Sequence, residues 1–267
     1  HTFTGQVWVE KKGAMRLLLK LIDRIIAKLA TVVIVDSQSQ RDYLIKNNIV
    51  SKEKSIVIGA GSISGVDVGR FDLRPVVRKM VREKMGVVDH IVVFLYVGRL
   101  KRDKGLFELA KAFLSISKKT DNIALWLVGP DEDKIKDEIK MIMSECDNDV
   151  RFVPYTTKPE DYMMSSDIFC LPSYREGFGS TIIEAAACGV PSIGSRIYGI
   201  MDAIIDGETG ILVEKASISG LSTAMQNIAS DSRQREKLGK SAKKRALESF
   251  NQQLVTDQLL LIIGRQV

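Results

Sequence analysis

The sequence has few residues of the kinds that cross-link small proteins or hold metal ions. Its 267 residues include three cysteines, Cys146, Cys170 and Cys188, and only two histidines. The cysteines are odd in number and scattered, which argues against a disulfide framework or a zinc site and favours a reducing, cytoplasmic compartment. Cys188 follows a run of alanines, where a small buried cysteine packs as alanine does, so it is a poor candidate for a nucleophile.

Long hydrophobic runs are also missing. The longest apolar stretches, residues 91–98 and 259–264, fall well short of the roughly 18–20 residues of a membrane-spanning helix. The chain begins at His1 with neither a methionine nor a charged-then-apolar leader, so we expect it to be a piece of a longer protein. The net charge of +6 permits attraction to phosphates or anionic lipid, and we expect no nucleic-acid partner.

From about residue 90, the sequence alternates regularly between short β-rich runs and helical stretches. This alternation predicts an α/β fold in which a parallel sheet carries helices on both faces. Such a Rossmann-like domain binds ligands beyond the carboxyl ends of its strands. The predicted strands are residues 91–97, 123–129, 150–154, 167–172, 191–195 and 210–214, and the predicted helices between them are 105–119, 134–146, 181–189 and 219–231.

Residues 1–72 predict the tail of a second Rossmann-like domain, followed by a Gly- and Ser-rich linker. The complete C-terminal domain is then expected to occupy residues 73–248. Residues 249–267 predict a final helix that packs back toward the N-terminal side. Within the first segment we expect a basic amphipathic helix (11–30), strands at 31–37 and 55–58, a helix that opens at Ser39, and the linker at 59–71.

Two motifs are similar to known ligand-binding motifs, but their context argues against that role. GAGSISG (59–65) is similar to a dinucleotide fingerprint, but Ser64 stands where the third glycine is needed and no clear helix follows. Asp131 and Asp133 match a metal-binding DxD pattern, yet aspartates before a helix commonly cap it. We favour the capping interpretation and expect no metal ion.

Two other segments predict an anion site at one end of the sheet. GRLKRDKG (98–105) places Arg99 at the end of a strand and Lys104 before a helix, which suits a diphosphate, although both could simply face solvent. EGFGST (176–181) supplies glycines and then a helix N-terminus, which also suits phosphate.

Glu176 and Glu184 flank this second segment, and a carboxylate beside a phosphate would repel it. We therefore expect both to accept hydrogen bonds from hydroxyl groups, such as those of a sugar nucleotide. The alternative for Glu184 is a capping box with Thr181, in which the two side chains satisfy amides at the helix start.

The spacing Glu176-x7-Glu184, together with GRLKRDKG and DGETGILVE (206–214), resembles the GT4 family of retaining glycosyltransferases, which have the GT-B fold. HTFTGQVW, DSQSQRDYL and GSISGVDVGRF resemble the late N-terminal domain and linker of bacterial polysaccharide-assembly members. The resemblance implies three catalytic residues: Arg99 and Lys104 neutralise the donor diphosphate, and Glu176 contacts the donor sugar. Glu184 would accept from the ribose hydroxyls, and Pro154 stands where a glycine is more usual in the base-contacting segment. The residues implied to contact the nucleotide are Gly98, Val153, Pro154, Tyr155, Gly177, Phe178, Gly179, Ser180, Thr181 and Glu184.

The family implies a cytoplasmic enzyme without a metal or other cofactor. It would transfer a sugar, with retention of configuration, from a UDP- or GDP-type donor to a sugar or lipid-linked acceptor in bacterial surface-polysaccharide assembly. Because a GT-B site lies between two domains, we expect this chain alone to bind the donor without transferring the sugar. The alternatives are a non-hydrolysing nucleotide-sugar epimerase and a protein that only binds nucleotide sugars.

The basic helix at 11–30 has two interpretations. Its apolar residues Leu18, Ile22, Ile25 and Leu29 recur at helical spacing and could meet the inner face of a membrane. They could equally pack against the helix's own sheet and leave the lysines in solvent. Six cations support attraction to anionic lipid: Lys11, Lys12, Arg16, Lys20, Arg24 and Lys28.

Overall fold

The computed structural model describes residues 1–264, apart from the side chains at 147 and 148, as two parallel sheets flanked by helices. The last three residues of the predicted C-terminal helix lie outside the described residues. The small sheet has the order β1-β2-β3, with strands Thr2–Phe3, Val33–Val35 and Ser55–Val57. The large sheet has the order β6-β5-β4-β7-β8-β9, with β4 to β9 at Val92–Val97, Ile123–Val128, Val150–Val153, Ile168–Leu171, Ser192–Ser195 and Gly210–Val213.

Helices alternate with the strands of both sheets. The helices from α1 to α11 are Gly13–Leu29, Gln38–Lys46, Pro75–Lys84, Leu106–Ser117, Lys136–Ile142, Pro159–Met163, Ser180–Ala187, Ile200–Ala203, Ile218–Ser230, Ser232–Ser249 and Gln252–Gly264. The α/β fold with parallel, Rossmann-like sheets that the sequence predicts is therefore confirmed. The two-residue strand β1 and the helices α3, α6 and α8 were not predicted, because they are short or, in α3, because half of the residues are charged.

The large sheet forms the core of the molecule. All residues of β5, β7 and β8 are buried, as expected for parallel strands covered by helices on both faces. The chain adds β5 and β6 on one side of β4, then returns to add β7, β8 and β9 on the other. The strand order therefore reverses between β4 and β7, and this switch point is where such sheets bind their ligands.

The loops after β4 and β7 approach each other closely at the switch point. Gly105, which precedes α4, has a φ of +69°, and a Cβ atom there would lie 2.1 Å from the carbonyl oxygen of Pro172. Any other residue would therefore separate the two loops. The glycine brings the end of β4 beside the end of β7.

A buried arginine fixes α3 to the large sheet. The Arg82 side chain is almost fully buried and donates to the carbonyl oxygens of Ser165 (3.1 Å), Val88 (2.9 Å) and Ile91 (2.5 Å). Its Nη1 atom also lies 3.2 Å from the Oδ2 atom of Asp167. The same oxygen accepts a hydrogen bond from the amide of Val93 in β4 at 2.8 Å. The helix and two strands thus share one charged network.

The two sheets are joined by paired chain segments. The amide of Val66 donates to the carbonyl of Phe250 at 2.7 Å, and the amide of Gln252 donates to the carbonyl of Val66 at 3.0 Å. The start of α11 is therefore hydrogen-bonded to the segment that leaves the small sheet. The domain limits at residues 72 and 248 stay a prediction.

We expect Arg82→Ala to lower the free energy of unfolding by about 3–5 kcal/mol, because it leaves the carbonyls of Ser165, Val88 and Ile91 without their donor. It also removes one of the two arginines, Arg78 and Arg82, that pair with Asp167. Denaturant unfolding followed by circular dichroism measures this loss. Lys84→Ala, at an exposed position on the same helix, is the control and should change stability little. A loss below about 1 kcal/mol in Arg82→Ala would show that the network is dispensable.

Candidate active site

A cavity of about 500 Å³, which we call the switch-point cavity, lies at the carboxyl ends of β4 and β7. One wall comes from the loops of the large sheet, residues 97–104 and 175–181. The small sheet contributes Thr4, Gly5 and Asp36 from the opposite side. The cavity is therefore a cleft between the two sheets, as the topology of the large sheet leads one to expect.

The second glycine segment places backbone amides at this cavity. Helix α7 starts at Ser180, and Gly179, with a φ of +81°, precedes it without a side-chain cap. A Cβ atom at Gly177 would lie 2.8 Å from both the Asp36 Oδ2 atom and the carbonyl carbon of Thr4. Only glycine allows this approach of the two walls, and the free amides of α7 suit an anion.

An ion pair crosses the floor of the cavity. The Nζ atom of Lys104 lies 2.7 Å from an Oε atom of Glu176, and both side chains are about four-fifths buried, with exposed fractions of 15% and 16%. Such a partly desolvated pair is stronger than one at the surface. An anion that enters the cavity would therefore compete with Glu176 for Lys104.

Arg99 stands at the rim of the cavity. Its side chain is 57% exposed and its guanidinium lies 3.4 Å from Glu132. The backbone carbonyl of Arg99 accepts a hydrogen bond from the buried hydroxyl of Tyr96 at 2.8 Å. The loop is thus fixed by its backbone, while the guanidinium makes a weak surface pair with Glu132.

The structure adds residues that the sequence analysis missed. Asp36 follows β2 directly, a position at a strand's carboxyl end that could have marked it. Asp103 and Arg175 form an ion pair of 3.3 Å that ties the loop before α4 to the loop after β7. No sequence pattern joins residues 72 positions apart. The predicted site residues on the cavity wall are Gly98, Arg99, Lys104, Glu176, Gly177, Phe178, Gly179, Ser180 and Thr181.

Glu184, Val153, Pro154 and Tyr155 do not belong to this wall as the structure describes it. The residues at 153–155 follow β6, two strands from the switch point.

Glu184 lies one turn into α7, near Arg70 and Glu160. Burial raises the pKa of Glu184 to about 7, the positive charge of Arg70 lowers it, and the negative charge of Glu160 raises it. The alternative of a capping box is wrong: Thr181 lies within the helix, and Gly179 occupies the N-cap without a side-chain hydrogen bond. Glu184 is therefore a half-buried carboxyl group that helix capping does not explain.

The aspartates of the DED motif are engaged in local contacts. Asp131 accepts hydrogen bonds from the amides of Ile135 (2.8 Å) and Lys136 (3.2 Å), at the start of α5. Asp133 accepts from the amide of Arg102 at 3.0 Å. Across the residues with described side chains, no cluster of histidine, cysteine, aspartate or glutamate could hold a metal ion. None of the helices within residues 1–264 is long and apolar enough to cross a membrane.

The fold and the cleft define a GT-B protein, and sequence comparison gives the family. A profile of glycosyl transferases group 1 matches residues 78–245, so the chain belongs to this family of enzymes. It is 30% identical over 261 residues to the capsular polysaccharide biosynthesis glycosyltransferase CapM of Staphylococcus aureus, covering 97% of this chain and 68% of CapM. It is also 30% identical over 191 residues to a D-inositol 3-phosphate glycosyltransferase of Pseudarthrobacter chlorophenolicus, covering 69% and 45%.

The fold matches solved structures across almost the whole chain. The crystal structure of Alr3699/HepE of Anabaena, in complex with UDP and glucose, has a TM-score of 0.85 and 21% identity. The match covers 96% of this chain and 68% of that one. The chain thus spans about half to two thirds of the length of these relatives. CapM and the D-inositol 3-phosphate enzyme are glycosyltransferases by name, which favours this activity over an epimerase or a protein that only binds.

The raised pKa of Glu184 predicts a pH-dependent stability. Burial favours the neutral acid, so between about pH 4.5 and 7 the folded chain holds a proton that the unfolded chain releases. The free energy of unfolding should therefore fall as pH rises through this window. We expect Glu184→Gln to be more stable than the wild type at pH 8 by about 2 kcal/mol and nearly equal to it at pH 4.5.

Denaturant unfolding at both pH values tests this expectation. Glu236→Gln, at a 66% exposed carboxylate on α10, is the control and should show no comparable gain. An equal difference between Glu184→Gln and the wild type at pH 4.5 and pH 8 would show that Glu184 ionises normally in the folded chain.

Proposed function

We propose that this protein is a retaining glycosyltransferase of the GT4 type that acts in bacterial surface-polysaccharide assembly. Its donor is a UDP- or GDP-type nucleotide sugar, and its acceptor is a sugar or a lipid-linked sugar. The observation that carries the proposal is the switch-point cavity, where Lys104, Glu176 and the first amides of α7 meet. The name of CapM, which refers to capsular polysaccharide, and the UDP and glucose bound to HepE support it.

The diphosphate of the donor binds between Lys104 and the N-terminus of α7. As the bond between the sugar and the diphosphate breaks, negative charge grows on the leaving group. A lysine held in a partly desolvated cavity and a set of fixed amides stabilise that charge without having to reorganise. Arg99 adds a more exposed positive charge at the rim.

Glu176 changes its partner when the donor binds. Its carboxylate pairs with Lys104 at 2.7 Å, and the diphosphate takes over that lysine. Glu176 then accepts hydrogen bonds from hydroxyls of the donor sugar beside the reacting carbon. The exchange keeps either charge from being buried alone, which would be costly.

The nucleoside lies toward Glu184 and the segment after β6. Glu184 accepts hydrogen bonds from the ribose hydroxyls, and Val153, Pro154 and Tyr155 contact the base. The raised pKa of Glu184 means that ribose binding favours its ionised form and should strengthen above pH 7. That the 267-residue chain binds the donor without transferring its sugar stays a prediction.

We expect Lys104→Ala to weaken the binding of UDP or GDP by about 1.5–3 kcal/mol, roughly 10- to 150-fold, because it removes a charged phosphate contact. Arg99→Ala should have a smaller effect, since its side chain is 57% exposed. Glu176→Gln should strengthen binding of the nucleoside diphosphate, which lacks the sugar, because it frees Lys104.

Isothermal titration calorimetry of UDP and GDP measures these changes. Lys111→Ala, an exposed lysine on α4, is the control. Unchanged affinity for both nucleotides in Lys104→Ala and Arg99→Ala would mean that the diphosphate does not bind in this cavity.

We also propose that α1 brings the enzyme to an anionic membrane surface, on the inner face of the membrane. The stripe of Leu18, Ile22, Ile25 and Leu29 is 43–80% exposed. The side of α1 that contacts the small sheet's core is instead formed by Leu19, Ile26 and Ala27. Within the described residues, the stripe therefore does not pack on the small sheet and is available to a membrane surface. The basic residues at the start and along one flank of the helix complement anionic lipid.

Sedimentation with phosphatidylglycerol vesicles tests this location. Each basic residue near anionic lipid contributes on the order of 1 kcal/mol, so Lys11→Glu with Lys12→Glu should weaken binding at least about tenfold. Wild-type binding should also fall as salt rises. Charge reversal at Lys118 and Lys119, on the far domain, is the control. If both double variants sediment with the vesicles to the same extent as the wild type, the proposal is wrong.

A further inference from the structure

Asp36 is a buried carboxylate that the diphosphate chemistry does not use. It lies directly after β2 and reaches the switch-point cavity from the small sheet, with an exposed fraction of 8%. Its amide donates to the side chain of Gln40 at 3.1 Å, and its carbonyl accepts from the amide of Ser62 at 2.8 Å. Its Oδ1 atom accepts from the amide of Ile63 at 3.2 Å. Three contacts therefore fix the residue in place.

The second carboxylate oxygen faces the cavity. A Cβ atom added to Gly177 would lie 2.8 Å from Oδ2, so this oxygen stands beside the backbone that follows Glu176. Among the residues whose side chains are described, none donates a hydrogen bond to Oδ2. Oδ2 is not one of the fully buried, unpartnered atoms of the described residues, so it stays open to the cavity. It can therefore accept a hydrogen bond from a partner that enters the cavity.

The chemistry of the cavity limits what that partner can be. The carboxylate accepts hydrogen bonds and repels phosphate, so it does not bind the diphosphate. The nearest donor-sugar contact, Glu176, lies on the large-sheet wall, whereas Asp36 comes from the opposite wall. A neutral hydroxyl group can donate to the carboxylate of Asp36 without charge repulsion. It can reach Asp36 if it enters from the small-sheet side.

We propose that Asp36 accepts a hydrogen bond from the hydroxyl of the acceptor sugar that receives the transferred sugar, and thereby selects which hydroxyl reacts. The proposal rests on the proposed function and adds the acceptor side of the same site. Holding one hydroxyl in register with the donor contributes both to rate and to the choice of linkage.

The surroundings of Asp36 also make acceptor binding dependent on pH. Burial raises the pKa of Asp36 to about 6, the amide of Ile63 lowers it, and the negative charge of Glu176 raises it. From the other elements around Asp36, the described neighbours are neutral: the backbone of Thr4, the backbone at 61–63 and the amide of Gln40. Glu176 is itself paired with Lys104. Acceptor binding should therefore weaken as pH falls through about 6.

Asp36→Asn is the test, because asparagine keeps an oxygen for Ile63 and removes the charge. The probes are UDP and GDP, and then n-octyl glycosides of glucose, galactose and mannose added to protein saturated with the nucleotide that binds. Calorimetry is run on the 267-residue chain. Asp42→Asn is the control, since Asp42 is an exposed carboxylate on α2.

We expect Asp36→Asn to bind the nucleotide within about twofold of the wild type and to bind the octyl glycoside at least tenfold more weakly. The loss of glycoside affinity below pH 6 should be present in the wild type and absent in the variant. Retained glycoside affinity in Asp36→Asn, or no glycoside binding by the wild type with nucleotide present, would overturn the inference. Equal loss of both ligands would assign Asp36 to the fold. Failure of the wild type to bind any nucleotide would instead refute the proposed function.

Discussion

The ion pair between Lys104 and Glu176 joins the loop after β4 to the loop after β7, across the reversal of strand order. The glycine at 105 allows these loops to meet, and the pair of Asp103 and Arg175 ties them a second time. Without this closure the amides of α7 and the cationic loop would not face one cavity. The two loops of the candidate site are therefore held together at this ion pair. Lys104 in the pair also supplies the positive charge that a diphosphate would meet.

The small sheet completes the site through close backbone approach and side-chain contacts. Gly177 lies against Asp36 and Thr4, and the amide and hydroxyl of Ser39 both donate to the carboxylate of Asp202 on α8. The ring of Tyr43 on α2 also stacks on that of Tyr198, with ring centroids 4.9 Å apart. The cleft thus has one wall built on the continuous apolar core of the large sheet and a second wall joined to it by hydrogen bonds and an aromatic stack.

Much of the fold could be predicted because its strands are continuous apolar runs, buried on both faces and bounded by glycine, proline or aspartate. The segments around Arg99 and Gly177 could be found for a related reason: each follows a strand at the edge where ligands bind. The partner of Lys104 could not, because 72 residues separate it from Glu176. The same holds for Asp36, which meets the site only through the packing of the two sheets. Local pattern also allowed a capping box of Thr181 and Glu184 as an alternative, and the structure contradicts it because Gly179 occupies the N-cap.

The chain crosses between the two sheets twice, at residues 59–71 and again before α11, and the two crossings are hydrogen-bonded to each other at Val66. Because these two segments are hydrogen-bonded to each other, they would act together as one hinge. If the small-sheet wall rotated about this hinge, atoms close to Val66 would move little and atoms far from it would move most. In such a rotation, the distance of a ligand group from Val66 would set how far the opposite wall must travel to reach it.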